Sequence, residues 1–164
     1  MQQALEVIEA ARFSPMAGNI YTVRVILVQD EKKKAQISEA ALQQYFIADA
    51  SYVIVVCSEI EQLSRNYAHQ AEKYARQQAG AAIENMLLKA TDLGLASCWV
   101  GAFDEERVKA VLQVPEKVRV EAIIPLGNPT RKETQKRKPE LKLITHFDKW
   151  GQREAKPERR PYAM

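Results

Sequence analysis

The chain has 164 residues, of which 46% are hydrophobic and 27% are charged, a composition typical of one globular domain with its own core. We therefore expect residues 1–164 to form a single domain. The 24 basic and 21 acidic residues give a formal net charge of +3, which excludes a uniformly basic nucleic-acid-binding protein. The basic residues are concentrated near the C-terminus, in the stretch RKETQKRKPELK over residues 131–142 and at Arg159-Arg160.

The N-terminal stretch MQQALEVIEAARF lacks both the basic start and the uninterrupted apolar run of a secretion signal. No apolar run approaches the roughly 20 residues that a membrane-spanning helix needs. We therefore expect a cytoplasmic protein without a membrane partner. Cys57 and Cys98 lie in apolar, strand-like runs, where we expect buried and reduced thiols. Together with His69 and His146 they are too few and too scattered for a metal site, so none is predicted.

Helical and extended patterns alternate along the chain. In order, they predict a helix over 2–12, a strand over 22–29, a helix from 31 to about 48, a strand over 52–57, a helix over about 61–93, a strand over 97–101, a helix over 104–114 and a strand over 118–126. The run Tyr52 to Cys57 is typical of a strand covered on both faces, because it is apolar throughout. From about 130 to 164 we expect an extended tail. Alternation of this kind, taken by itself, favours a parallel α/β sheet.

The clearest helical signal is a stripe of small and apolar residues, three or four positions apart, within residues 61–93. The stripe consists of Ala68, Ala71, Ala75, Ala79, Ala82, Met86, Ala90 and Leu93. Because alanine lets another backbone approach closely, the pattern predicts a central helix packed against a second helix. Periodicity does not show whether that second helix belongs to the same chain or to another copy.

Three segments carry residue types suited to a ligand site. The first is the stretch Ser14 to Asn19, whose small residues let backbone amides approach a flat or anionic ligand. The second is the turn from Val100 to Ala102, which exposes backbone N–H groups before the next helix. The third is Arg137-Lys138-Pro139, where a guanidinium on a restrained backbone suits a phosphate.

Each segment also has a simpler interpretation. The first two could be an ordinary loop and an ordinary strand-to-helix turn. The third could be a solvated charge run or a nucleic-acid contact. We disfavour nucleic acid as a partner, because no aromatic residues interleave with the basic ones and the rest of the chain is not basic.

Together with the chain between them, these segments resemble the FMN-dependent nitroreductase family. The matching motifs are AARFSPMAGN at 10–19, IADASYVIVV at 47–56, NMLL at 85–88, LGLASCWVG at 93–101, IPLGNP at 124–129, RKPE at 137–140 and FDKWG at 147–151. They occur in one order and span nearly the whole chain.

The resemblance implies an α+β sandwich with a mainly antiparallel central sheet flanked by helices, and we expect this fold rather than the parallel sheet. It implies an intertwined homodimer in which the long helices pack together and each FMN lies between two chains. That packing would explain the alanine stripe. The implied activity is a flavoprotein oxidoreductase that moves hydride from NADH or NADPH through FMN to a small-molecule acceptor, such as a nitroaromatic, a quinone or an enone. The flavin carries the chemistry, so no catalytic side chain is expected.

The resemblance also implies the cofactor-binding residues. These are Pro15, Met16, Ala17, Asn19, Gln44, Val100, Gly101, Ala102, Arg137 and Lys138. The first four would lie along the flavin edge, and Gln44 would face the pyrimidine side. Gly101 and Ala102 would offer backbone N–H groups near flavin N5. Arg137, helped by Lys138, would bind the phosphate.

The sequence departs from the family pattern in three places. The family's R-R-S-x-R segment, which holds the FMN phosphate, does not occur in it, Met16 replaces a serine, and Tyr21-Thr22-Val23 replaces a Q-P-W. Losing part of a phosphate clamp removes charge-assisted hydrogen bonds of about 1.5–3 kcal/mol each. The departures therefore leave a second hypothesis open, a degenerate member that binds flavin or another planar ligand without turnover.

Overall fold

The computed structural model describes residues 1–130 and 136–156. Two compact units make up the chain, Met1–Thr130 and Arg131–Met164. Residues 131–135 of the basic stretch and the pair Arg159-Arg160 lie outside the described residues. Within the described ranges, no helix is both long enough and apolar enough to cross a membrane.

The first unit contains four strands and five helices within its described residues. The strands are β1 (Val23–Val28), β2 (Tyr52–Ser58), β3 (Ala96–Ser97) and β4 (Arg119–Gly127). The helices are α1 (Gln2–Ala10), α2 (Glu31–Ala40), α3 (Glu61–Tyr67), α4 (Ala71–Asp92) and α5 (Glu105–Leu112). Short 3-10 turns occupy Ala11–Phe13, Ala17–Asn19, Tyr45–Ile47 and Ala68–Gln70.

The strands form one sheet in the order β1-β2-β4-β3, and every pairing in it is antiparallel. The expected α+β sandwich is therefore confirmed, and the parallel sheet suggested by the alternation of elements is wrong. The alternation identifies the helices and strands. Whether neighbouring strands run parallel or antiparallel depends on which strands pair, and the tertiary fold decides that.

Strand β2 lies between two hydrophobic layers, one on each face of the sheet. Ile54 and Val56 face one layer, which contains α1 and α4, while Val53 and Val55 face the other, which contains α2 and α5. Side chains alternate between the two faces of a strand, so a strand covered on both sides is apolar at every position. The interpretation of residues 52–57 as a strand buried on both faces is confirmed.

The predicted helix over residues 61–93 is interrupted at Ala68. This residue has a φ of 42°, outside the helical region, and it begins the 3-10 turn that separates α3 from α4. The predicted helix up to about residue 48 also stops early, at Ala40, because Leu42 and Gln43 both take positive φ values. Apolar spacing continues across both breaks, so periodicity could not detect them.

Within α4, the alanine stripe faces the interior of its own chain, whereas Ala68 lies before the helix and is exposed. Ala79, Ala82 and Ala90 are buried with α1 and the sheet, and Ala71 and Ala75 are buried in a smaller cluster beside α3. The prediction of close packing against a second helix is confirmed by α1. The explanation of the stripe by helix packing between two chains is wrong, since these residues are already covered.

The predicted strand over residues 97–101 is mostly irregular. Only Ala96 and Ser97 pair continuously with β4, and Val100 forms one isolated bridge with Ile123. Cys98 leaves the sheet between these contacts and is exposed, so the expectation of a buried thiol there is wrong. Cys57, in the middle of β2, is buried as expected.

The described part of the second unit contains one short helix, α6 (Leu141–Ile144). The Arg153 guanidinium donates to the carbonyls of Lys142, Leu143 and Thr145 at 3.2, 2.7 and 3.3 Å. It thereby satisfies acceptors that the end of the helix leaves open. The His146 ring stacks on Trp150 with a centroid distance of 4.1 Å.

Candidate functional site

The loop from Ser14 to Asn19 has a tightly defined backbone. The Ser14 hydroxyl donates to the Ala11 carbonyl at 2.7 Å, and the Asn19 N–H donates to the Met16 carbonyl at 3.2 Å. Gly18 and Asn19 have φ values of 56° and 57°, a region that glycine and asparagine tolerate. The Asn19 side chain is exposed, and it makes no hydrogen bond to any described residue.

This loop forms one wall of an open cleft of about 310 Å³, and α4 forms the other wall. Pro15, Met16 and Ala17 line it from the loop, and Tyr74, Gln77, Gln78 and Ala81 line it from the helix. Tyr74 is held edge-on against Tyr67, with ring centroids 5.2 Å apart. The cleft is a largely apolar slot with two amide side chains on one side.

The turn from Val100 to Ala102 is held from two directions. Val100 exchanges backbone hydrogen bonds with Ile123 of β4 at 2.9 and 3.0 Å. The Gln44 amide donates to the Ala102 carbonyl at 3.1 Å and to the Ala41 carbonyl at 2.8 Å. The structure thus brings Gln44 to the turn.

The backbone N–H groups of Gly101 and Ala102 point to no protein acceptor among the described residues. Both residues are exposed, and a Cβ built on Gly101 would meet nothing within 4 Å. By contrast, the start of α5 is capped by the Asp104 carboxylate, which accepts from the Arg107 N–H at 3.1 Å. The turn therefore offers two backbone donors to a ligand, whereas the Arg107 N–H of the helix is occupied by its cap.

The loop and the turn are two separate groups within the first unit. The loop leads into edge strand β1, whereas the turn follows β3 at the opposite edge of the sheet. No hydrogen bond joins the two groups in the part of the chain that the structure describes. Helix α4 is nevertheless close to both, since Ala81 lines the cleft and a Cβ on Gly80 would lie 3.7 Å from Trp99.

Arg137 and Lys138 belong to the second unit. Both side chains are exposed, as are Lys136, Pro139 and Glu140 around them. The two cations therefore remain accessible to an anion.

Sequence reasoning missed Gln78, which lies on the buried side of α4. The side chain is 4% exposed, its Oε1 accepts from the Thr22 hydroxyl at 3.1 Å, and its Nε2 has no partner among the described residues. A signal was available, because Gln78 lies three positions after Ala75 and four before Ala82 and so falls on the inward stripe. A polar residue on such a stripe calls for a specific partner.

Burial raises the pKa of the Cys57 thiol to about 11, with the nearby carboxylates of Glu121 and Glu105 acting in the same direction. This cysteine stays protonated at neutral pH, and a protonated thiol is a poor nucleophile. Cys57 is a core residue and takes no part in the site.

Comparison with known families adds the decisive observation. The nitroreductase family matches this chain over residues 1–60 and 40–128. The chain belongs to the nitroreductase family. An Archaeoglobus fulgidus protein, named for NADH dehydrogenase or NAD(P)H nitroreductase activity, is 34% identical over 128 residues, which covers 76% of this chain and 71% of that protein. A Thermus thermophilus NADH dehydrogenase is 28% identical over 152 residues, covering 76% of this chain and 74% of that enzyme.

The nitroreductase fold is also found among solved structures. The NADPH:FMN oxidoreductase of Vibrio harveyi, complexed with NAD+, aligns with a TM-score of 0.83 over 92% of this chain and 69% of that chain. The two sequences are 19% identical, so this likeness concerns the fold. It agrees with the antiparallel sheet between two helical layers described above.

Proposed function

We propose that this nitroreductase-family protein is an FMN-dependent NAD(P)H oxidoreductase that works as a homodimer on a small-molecule acceptor. The observation that carries the proposal is the pair of unpaired N–H groups at Gly101 and Ala102, on a turn that Gln44 and β4 hold in place. Fixed donors of this kind suit a ring that gains negative charge on reduction. Family membership and the names of the relatives support the same activity.

The residues present fit a flavin. The cleft lined by Pro15, Met16 and Ala17 is largely apolar, as the face of a planar ring requires, and the exposed Asn19 amide of the same loop can donate and accept. Bound FMN would supply the hydride chemistry, taking two electrons from a nicotinamide and giving them to a nitroaromatic, a quinone or an enone. The protein positions the ring and provides backbone donors for it.

Arg137 and Lys138 complete the proposed site as the phosphate anchor. A guanidinium binds a phosphate with two parallel hydrogen bonds, and both cations are exposed. In this proposal the tail from about 130 to 164 acts with residues 1–130 as one functional domain.

The experiment is a titration of the purified protein with FMN, followed by anaerobic addition of NADH or NADPH. We expect flavin fluorescence to change on binding and the visible flavin absorption to bleach on reduction. Binding without bleaching would favour the degenerate member that holds flavin without turnover. No spectral change at saturating FMN would overturn the proposal.

Arg137→Ala tests the phosphate anchor in the same assay. We expect the FMN dissociation constant to rise about ten- to a hundredfold, since a charged hydrogen bond contributes about 1.5–3 kcal/mol. Riboflavin, which lacks the phosphate, should bind parent and variant alike. An equal loss for both ligands, or no loss for FMN, would mean that the phosphate is held elsewhere.

A further inference from the structure

A buried amide donor without an acceptor lies beside the cleft between the loop and α4. Gln78 lines this cleft with Met16 and Ala17, and its Nε2 makes no hydrogen bond within the described residues. Buried polar atoms almost always have a partner, so an unpaired donor beside a cleft indicates a partner that the protein itself does not supply.

Thr22 determines which way the Gln78 amide faces. The Thr22 hydroxyl is fully buried and donates to Gln78 Oε1 at 3.1 Å, which gives the hydroxyl proton an acceptor. With the oxygen engaged in this way, the nitrogen is the end of the amide left for another group. Thr22 is therefore a positioning residue for the Gln78 donor.

The rest of the cleft defines the class of ligand. Pro15, Met16, Tyr74 and Ala81 present apolar surfaces, including a sulfur and an aromatic ring, which suit a planar molecule. An amide N–H additionally requires an oxygen or nitrogen acceptor. A flat ring with a carbonyl oxygen satisfies both conditions.

We propose that Gln78 Nε2 is a ligand-binding donor that recognises the carbonyl oxygen of a planar ring in this cleft. The inference rests on the proposed function, which supplies two sources of that chemistry, a ring carbonyl of the flavin and the carbonyl of a quinone acceptor. In both cases the amide donates one neutral hydrogen bond, and Thr22 keeps it aimed.

The test removes the donor without leaving a new unpaired group. In the double variant Gln78→Met with Thr22→Val, both polar partners become apolar groups of similar size, a change that is close to neutral for folding. Gln78→Glu is a second variant, which keeps the shape and an acceptor for Thr22 and, where its carboxyl group is ionised, has no donor in place of the amide. Gln36→Met is the control, because Gln36 is an exposed glutamine on α2, outside this cleft.

Three quantities are measured for each protein. They are the FMN dissociation constant, the carbonyl stretching frequency of bound FMN by Raman spectroscopy, and the KM and kcat for menadione at saturating FMN. If the flavin is the source, the double variant should bind FMN about three- to tenfold more weakly and the carbonyl frequency should rise. If the quinone is the source, FMN binding stays unchanged and the KM for menadione rises by a similar factor at constant kcat.

Either result supports the inference, provided that Gln36→Met behaves like the parent. The inference is overturned if parent and Gln78 variants bind FMN equally, with the same carbonyl frequency and the same KM, or if the Gln36 variant loses as much. In those cases the proposed function still stands. If the parent itself binds no FMN, the proposed function fails and this inference fails with it.

Discussion

At the scale of single residues, Glu105 at the start of α5 contacts strand β4 at a point where its pairing with β2 shifts register. The register shifts between Val56 and Cys57, so that these residues oppose Ala122 and Val120 and Glu121 is left without a partner. The Val120 N–H donates instead to Glu105 Oε1 at 3.1 Å. The same carboxylate pairs with Lys109 at 3.2 Å and Arg119 at 3.1 Å.

Burial and the polar contacts of Glu105 shift the pKa of its carboxyl group in opposite directions. Burial by itself raises the pKa of this carboxyl, but the Val120 N–H, the Lys109 ammonium and the Arg119 guanidinium outweigh it, so the pKa lies below the ordinary 4.5. Because the pKa of Glu105 is lower in the folded state than in the unfolded state, its ionised carboxylate stabilises the fold at pH values above the unfolded-state pKa. This stabilisation is lost as the pH falls through the folded-state pKa.

We predict that Glu105→Gln lowers the free energy of unfolding by about 1–3 kcal/mol near pH 7, because the nearly buried Lys109 loses the less exposed of its two carboxylate partners. The difference from the parent should shrink as the pH falls below about 4.5, where the parent carboxylate becomes protonated. Urea unfolding at both pH values measures this. The control is Glu106→Gln, since Glu106 also contacts Lys109 but is 79% exposed. A constant difference at all pH values would contradict the account.

At the scale of elements, the break between α3 and α4 supports the loop of the candidate site. Ala68 turns the chain between the two helices, and Tyr67 just before it packs against the loop and edge-on against Tyr74. A Cβ built on Gly18 would overlap the Tyr67 hydroxyl. The loop can lie this close to Tyr67 only because residue 18 is a glycine.

We predict that Gly18→Ala destabilises the protein by about 1–3 kcal/mol, from a positive φ of 56° and from the overlap with Tyr67. FMN binding should weaken as well, because the loop forms one wall of the proposed site. Denaturant unfolding and FMN titration measure the two effects.

Tyr67→Phe separates the two causes. It removes the hydroxyl that overlaps the new Cβ, so the double variant should recover the steric part of the loss and retain the backbone strain. If Tyr67→Phe recovered nothing, the contact between Gly18 and Tyr67 would not be what constrains the loop.

At the scale of the whole molecule, the first unit exposes large apolar side chains outside its two core layers. Phe13 is 78% exposed, Leu42 70% and Leu88 60%. Leu88 lies on the outer face of α4, seven positions after Ala81 and so on the same side of the helix as the cleft. Because the alanines of the stripe in α4 are buried within the chain, this outer face is the part of α4 that a second copy can contact.

We predict that Leu88→Asp raises the dissociation constant of the proposed homodimer at least tenfold, because a carboxylate would replace an apolar side chain in a buried contact. FMN affinity should fall with it, since each cofactor is proposed to lie between two chains. Sedimentation at micromolar concentration measures the first effect. Arg76→Asp, on another face of α4, is the control, and a parent protein that sediments as a monomer would rule the dimer out.

Several features of this protein follow from the sequence itself. The apolar run of β2 predicts a strand between two layers, because alternate side chains face opposite sides of a sheet. The spacing of small residues predicts the helical segment and its buried face. The ordered motifs indicate the family, and with it the antiparallel sheet and the segments of the candidate site.

Other features were decided only by the tertiary structure. Spacing shows which side of α4 is buried but not what covers it, and α1 with the sheet does so. Ala68 takes a positive φ between α3 and α4, and no local pattern in the sequence marks that break. The exposure of Cys98 and the unpaired Nε2 of Gln78 likewise depend on residues distant in sequence. The local sequence pattern determines which helices and strands form. Long-range packing determines how the strands run, which element covers each buried face and which polar groups are left without a hydrogen bond.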